Sequence, residues 1–325
     1  MAVYTKTSKQ DIAQHLQNYQ LGKLINFKEI IEGIDNSNFI LETEKGKFIL
    51  TIFESRIDKN ALPFFINLKL HLAENGVCCP RPILDKSGSA IVDLNGKKSV
   101  IVSFLSGATL TTRSDGYYEN ITPAHCFEVG KNLAKLHRAA ADFKMSRPNE
   151  LGIKGWNALF SKFEDQVENY QKDLRAEISE SLNFLEKAWN HDLPSGADHL
   201  DLFPDNVFFD ENSKLSGVID FYFAATDALV YDFAIIVNAW CFDEKNNFSE
   251  EKFVEMLRGY QEIREFSAQE KNFLKTALIG AAMRFLLTRL NDMFFTPKDA
   301  LVKVKNPQEY LAKLRFFKQN YEHKI

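Results

Sequence analysis

Three oxygen-bearing side chains at set spacing constrain this sequence more than any other feature. Asp201 and Asn206 stand in the run His199-Leu200-Asp201-Leu202-Phe203-Pro204-Asp205-Asn206, and Asp220 follows in Gly217-Val218-Ile219-Asp220-Phe221. An apolar segment, Val207-Phe208-Phe209, comes after the first run, a second precedes Asp220, and a polar turn at 211–213 separates them. Two short strands joined by that turn bring Asp220 back beside Asn206, although fourteen residues part them in the chain. A carbonyl oxygen next to a carboxylate suits a hard cation such as Mg²⁺, and the loop carboxylate Asp201 can orient or deprotonate a hydroxyl attacking a phosphate. A purely helical interaction module would leave this loop and hairpin unexplained.

The surroundings change texture once. The segment FILETEKGKFILTIFE reads as a hairpin around Glu44-Lys45-Gly46, and SAIVDL and SVIVSFL are two further strands split by Asn95-Gly96. A short helix starts at Thr7 and Ser8, and a second covers 62–75 with Gly76 as its stop. From about Gly107 onward the pattern is mainly helical: one helix begins at Thr122-Pro123, and others are expected at 156–189, 250–263, 268–294 and 307–320. Strands first and helices after predict an α+β chain of two lobes with a cleft, divided at 1–105 and 106–325, a division that 325 residues accommodate. With 28 Phe against 15 Gly and 9 Pro, the interior is packed with rings, and collagen-like or low-complexity classes are excluded. The net charge of −4, without single-sign blocks, offers nothing to nucleic acid or to an anionic membrane. Four cysteines make no disulfide scaffold, the N-terminus is polar, and Arg284 interrupts the longest apolar stretch. The expectation is a reduced cytoplasmic protein; its oligomeric state stays open.

The H-x-D-x-x-x-x-N…D arrangement resembles the catalytic and metal loops of the protein-kinase-like fold. Because it lacks the arginine of H-R-D, it looks like the aminoglycoside/choline kinase branch. The resemblance implies a small antiparallel-sheet N-lobe and a larger, mainly helical C-lobe. It makes Asp201 the catalytic residue and puts Asn206 and Asp220 on Mg²⁺, with ATP as phosphoryl donor. It gives His199, and His137 in Leu133-Ala134-Lys135-Leu136-His137, bracing and packing roles. The nucleotide is expected on the first third. There 32–39 holds Gly33 where kinases have three glycines, so contacts would come from backbone N–H groups and from Asn36, Ser37 and Asn38. Adenine would meet the backbone from Ser103 to Leu105. One departure stands out: Thr51 occupies the strand position of the family's lysine, and Asn67 that of its helix glutamate. Lys47 is on the same strand face as Thr51 but ~13 Å away.

Read together, 35–39, LTIFE at 50–54, LPFF at 62–65, HLDLFPDNVFF at 199–209, GVIDFYFA at 217–224, NAWCF at 238–242, FLLTRL at 285–290 and NPQEYLAKLRF at 306–316 resemble the homoserine kinases of the aminoglycoside-phosphotransferase-like type over nearly the whole chain. That resemblance implies phosphorylation of L-homoserine by ATP, a step toward threonine. Asp198 and Leu200 depart from the family around the loop. For the substrate, a cation is needed at the carboxylate and an anion or aromatic faces at the ammonium. Arg284 or Arg289 is the expected carboxylate partner and Asp232 the ammonium partner or a brace for the metal loop, with Tyr222 and Trp240 as walls. A kinase for choline, ethanolamine, methylthioribose or an aminoglycoside, and a nucleotide-binding pseudokinase, remain open alternatives.

Overall fold

In a computed structural model the described residues are 7–30, 36–54, 60–110, 118–297 and 304–321. By their contacts they divide into two units, Met1–Gly107 with Ser216–Ile219, and Ala108–Leu215 with Asp220–Ile325.

In the first unit Ser8 caps helix α1 (Lys9–Leu16) reciprocally with Asp11, a capping box that sets the helix start. Then come β1 (Leu24–Ile30), β2 (Asn36–Thr43), β3 (Gly46–Phe53), α2 (Leu62–Glu74), β4 (Val92–Leu94) and β5 (Lys97–Ser103). The five strands form one antiparallel sheet in the order β1-β2-β3-β5-β4. The hairpin between β2 and β3 closes at Thr43 opposite Gly46, whose φ of 123° only glycine adopts readily. Alternation along β2 and β3 puts Phe39, Leu41, Leu50 and Ile52 on the face that meets Ile12 and Leu16 of α1. The segment Ser216–Ile219 is tied to this unit by Val218 N–H donating to the Cys78 carbonyl at 2.9 Å.

The second unit is built from α3 (Pro123–Ala139), α4 (Ile153–Phe160), α5 (Glu164–Tyr170), α6 (Leu174–Ala188), β6 (Ser195–Asp198), β7 (Val207–Phe209), β9 (Ala225–Ala228), α7 (Leu229–Trp240), α8 (Glu250–Gln261), α9 (Ala268–Phe295) and α10 (Pro307–Gln319); β8 (Leu215–Val218) follows β7. Thr122 and His125 cap α3 reciprocally, as the Thr-Pro start predicts. The single helix expected at 156–189 is instead three helices. Phe163 turns into the core against Phe294, 5.7 Å between ring centres, and Asp173 takes a left-handed φ of 64° that ends helical continuation.

Two elements were not foreseen. Nearly every residue of α7 is buried, so it has no polar face and no amphipathic period to read. The antiparallel pair β6–β9 is four residues long on each side and poor in β-branched side chains. Where α3 crosses α8 the backbones meet closely: a Cβ on Gly130 would lie 2.1 Å from the Met256 carbonyl oxygen, and one on Gly259 2.1 Å from that of Phe127. All four cysteines are free thiols. No described helix is long and apolar enough to cross a membrane.

Candidate active site

Strand β6 delivers the chain into the loop at Asp198, and Leu200 turns it with a φ of 61°. A bulky residue in that conformation costs about 1–3 kcal/mol and needs holding. Asp232, in the first turn of α7, accepts the N–H of His199 at 2.7 Å and of Leu200 at 2.9 Å. On the other side of the same residue, Arg284 of α9 donates to the Leu200 carbonyl. Asp201 N–H donates to His199 Nδ1 at 3.2 Å, and Trp240 Nε1 donates to the Leu202 carbonyl at 2.9 Å. Buried groups from α7 and α9 thus fix the loop at His199, Leu200 and Leu202, and His199 itself holds Asp201.

Asn206 ends a short turn, Pro204–Asn206, and its Nδ2 donates to the Asp201 carbonyl at 2.8 Å, with the Asp201 carboxylate at 3.4 Å. With the amide nitrogen spent on the loop, the amide oxygen is the atom left to offer a cation. Asp220 has a left-handed φ of 64° and its side chain is exposed. Burial and the negative charges of Asp220 and Asp205 push the Asp201 carboxyl up to about 7, against the pull of Arg284 and Lys305. A carboxylate in that range suits transient acceptance of a hydroxyl proton near neutral pH.

Behind the loop lies a buried cluster. His137 places Nε2 3.2 Å from Asp198 and 3.3 Å from Asp232, and its Nδ1 is 2.8 Å from the Tyr260 hydroxyl. Burial opposes charge on His137, but Tyr260, Asp198 and Asp232 hold it well above the ordinary histidine range. Burial drives Asp198 well above the carboxylate range, whereas His137 and His199 bring Asp232 below it in spite of burial. Asp232 therefore stays an anion toward the loop N–H groups.

This geometry revises several substrate-site expectations. Asp232 is fully buried and spent on the loop backbone, so it has no way to reach an ammonium. Trp240 is fully buried, packs against Phe209 at 6.1 Å and braces Leu202, so it is core and not a pocket wall. Arg284 is committed to the Leu200 carbonyl and acts on the loop itself. Arg289, by contrast, lines a cavity beside the loop, where it binds the Glu309 carboxylate at 2.5 Å and the Asn306 carbonyl at 2.9 Å. Tyr222 sits half-buried beside Asp220 in the turn Phe221–Phe223.

In the first unit, Gly33 lies outside the described residues. Asn36, Ser37 and Asn38 belong to β2 and not to a loop, and their side chains serve the sheet. Ser37 donates to Glu54 at 2.8 Å, Asn36 accepts the Glu54 N–H at 3.4 Å, and Asn38 accepts from the Thr51 hydroxyl at 2.7 Å. Thr51, paired with Asn38 across the ladder, is thus accounted for without a lysine. Asn67 caps its own helix interior by donating to the Pro63 carbonyl. A Lys–Glu pair does exist in this unit, but from other residues: Lys97 of β5 binds Glu54 just past β3. Sequence reading missed it because the partners are 43 positions apart. Lys47 is exposed and pairs with Glu42 at 3.6 Å. Ser103 exchanges its N–H and hydroxyl with the backbone of Arg81, both at 2.9 Å, while Leu105 lies past the end of β5.

The sequence profile of the phosphotransferase enzyme family matches residues 26–266. Homoserine kinase of Rhizobium etli is 44% identical over 319 residues, 98% of this chain and 97% of that one. The chain belongs to the phosphotransferase enzyme family, on its homoserine kinase branch. Homoserine kinase of Paramagnetospirillum magneticum is also 44% identical, over 97% of this chain and 96% of its own. Among solved structures, amicoumacin kinase in complex with AMP-PNP, Ca²⁺ and Ami superposes with a TM-score of 0.67 at 13% identity, covering 97% of this chain and 94% of that one. Spectinomycin phosphotransferase in complex with ADP and spectinomycin gives 0.68 at 14%, over 98% and 96%. At such identities these likenesses show the fold, which is the protein-kinase-like one.

Proposed function

We infer that this chain transfers the γ-phosphoryl group of ATP to the side-chain hydroxyl of L-homoserine, giving O-phospho-L-homoserine, a product on the route to threonine. The observation that carries the reading is the 44% identity to homoserine kinases across practically the whole chain, with the Asp201 loop complete. Such transfer is mainly positioning and charge neutralisation, without a covalent enzyme intermediate. Asp201 aligns the attacking hydroxyl and takes its proton late, and the grip of Asp232, Arg284 and Trp240 on the loop backbone keeps its carboxylate in place.

Asn206 and Asp220 offer only oxygen donors, a set that fits a hard divalent cation such as Mg²⁺. The cation would be held by those two residues and would neutralise charge on the phosphates of ATP. Adenine is assigned to the backbone around Leu105 in the first unit. A cytoplasmic location fits these substrates, ATP and a free amino acid.

A coupled assay of ADP release tests the reading across homoserine, choline, ethanolamine, methylthioribose and kanamycin. Strong turnover confined to homoserine is expected. Turnover on another acceptor instead would overturn the substrate, and silence on all five with ATP still bound would overturn the enzyme.

A further inference from the structure

Beside the catalytic loop, the second unit holds a cavity of about 170 Å³ that touches Phe203, two residues past Asp201. Its volume is well below the ~300–1,000 Å³ of drug-sized pockets. It has room for a metabolite of a few heavy atoms.

The lining is charged in an unbalanced way. Arg289 and Lys313 are both buried, 7% and 3% exposed, and both bind one carboxylate, Glu309, each at 2.5 Å. Lys313 also donates to the Asn238 carbonyl at 2.9 Å. Both cations lie over the Tyr310 ring, 4.4 and 4.5 Å from its centre, which stabilises positive charge without neutralising it. Around Glu309 two buried cations meet one anion, and over the whole lining Lys252, Arg289, Lys305 and Lys313 outnumber Asp243, Glu244 and Glu309 by one; a buried unpaired charge is costly. Burial depresses Lys313 below its ordinary range even with Glu309 beside it, and Arg289 adds to the depression. Lys305 stands at the exposed margin, 3.9 Å from Asp205, the neighbour of Asn206. The cavity is also lined by Asp243, whose carboxylate is held below its usual range by Asn247 and Lys245 although burial opposes this.

We propose that this cavity is the acceptor site, with Arg289, Lys313 and Lys305 binding the carboxylate of a small α-amino acid and Asp243 facing its ammonium. This rests on the homoserine reading above and names the residues that set acceptor specificity. The bound carboxylate supplies the anion that the Arg289–Glu309–Lys313 set lacks. Phe203, two residues past Asp201, lines the cavity, and Lys305 at its margin is near enough to act on the Asp201 carboxyl, so in the proposed pose the acceptor's hydroxyl end lies toward Asp201.

The test compares L-homoserine with L-homoserine amide and with 2-amino-1,4-butanediol, which keep the hydroxyl and ammonium but lose the carboxylate. The wild-type enzyme should prefer homoserine in kcat/KM by about 10- to 100-fold or more, the worth of one or two hydrogen bonds to a charged group. Lys305→Ala, at the exposed margin, and Lys313→Met should raise the KM for homoserine and shrink that preference, leaving the KM for ATP unchanged. Arg289→Lys, which keeps the charge, should lose less than Arg289→Ala. Thermal melts and ATP binding identify any variant that fails to fold, and Lys305→Ala with the wild-type analogue series decides the matter without the buried ones. Wild-type turnover of homoserine with equal kcat/KM for the amide and the diol would overturn the site while leaving the enzyme a homoserine kinase. So would folded variants that keep the full preference. No wild-type turnover of homoserine would overturn the underlying reading as well.

Discussion

Asp232 and Arg284 grip the Leu200 backbone from both ends, the former through its N–H and the latter through its carbonyl. A left-handed leucine persists there because two buried charged groups over-determine it. The carboxylate of Asp201, the proposed base, one residue on, inherits that rigidity. Asp201→Asn keeps the shape but removes the proton acceptor, so kcat should fall about 10²–10⁴-fold with little change in the KM for ATP. Undiminished turnover in the same ADP-release assay would take Asp201 out of its role. A second prediction concerns Glu309, which Lys313 and Arg289 hold at about 2 despite burial, against an ordinary 4.5. A depressed carboxylate contributes stability above its unfolded pKa and loses it as pH falls through the folded one. Between pH 4.5 and 2 the melting temperature of the wild type should therefore drop more steeply than that of Glu309→Gln. Parallel curves would show that the ion set adds no pH-dependent stability.

Among the elements, the crossing of α3 and α8 is fixed by the absence of two side chains. Gly130 and Gly259 each let the opposing backbone approach to a distance at which a Cβ would overlap a carbonyl oxygen. Backbone cannot swing aside as a flexible side chain does. Gly259→Ala should therefore destabilise by about 1–3 kcal/mol, the range for overpacking, even though alanine favours a helix. A melting temperature equal to wild type would mean that the crossing adjusts freely. The same scale shows what a sequence hides. The amphipathic α3 and the capped α1 are readable because one face is wet and the caps are chemically distinct. Helix α7 carries Asp232 yet offers no period, since it is enclosed on all sides. The 156–189 segment looked continuous, but its breaks depend on Phe163 finding Phe294, more than a hundred residues away.

At the scale of the whole molecule, phosphoryl transfer needs a base, a cation site and a nucleotide contact at once. EDTA should abolish turnover, and excess Mg²⁺ should restore it; Asp220→Ala should raise the Mg²⁺ concentration needed, its carboxylate being one of the two proposed ligands. Activity unaffected by EDTA would remove the cation from the scheme. The Asp201–Asn206–Asp220 spacing and the family were legible from residues alone. A loop and its returning strand are neighbours in the chain, and the chemistry they share survives as a pattern. Which arginine serves the loop and which lines a cavity was not legible. Arg284 and Arg289 lie five residues apart on one helix, and their roles are set by partners distant in sequence, Leu200 for one and Glu309 for the other. The same holds for Asn36, Ser37 and Asn38, turned from phosphate contacts into sheet hydrogen bonds by Glu54 and Thr51. The residue pattern alone carried the family and the kinase-like order of strands and helices. Which polar side chains hold the loop and which line the cavity came from the packing of the folded chain, because a side chain's role depends on what packing brings against it.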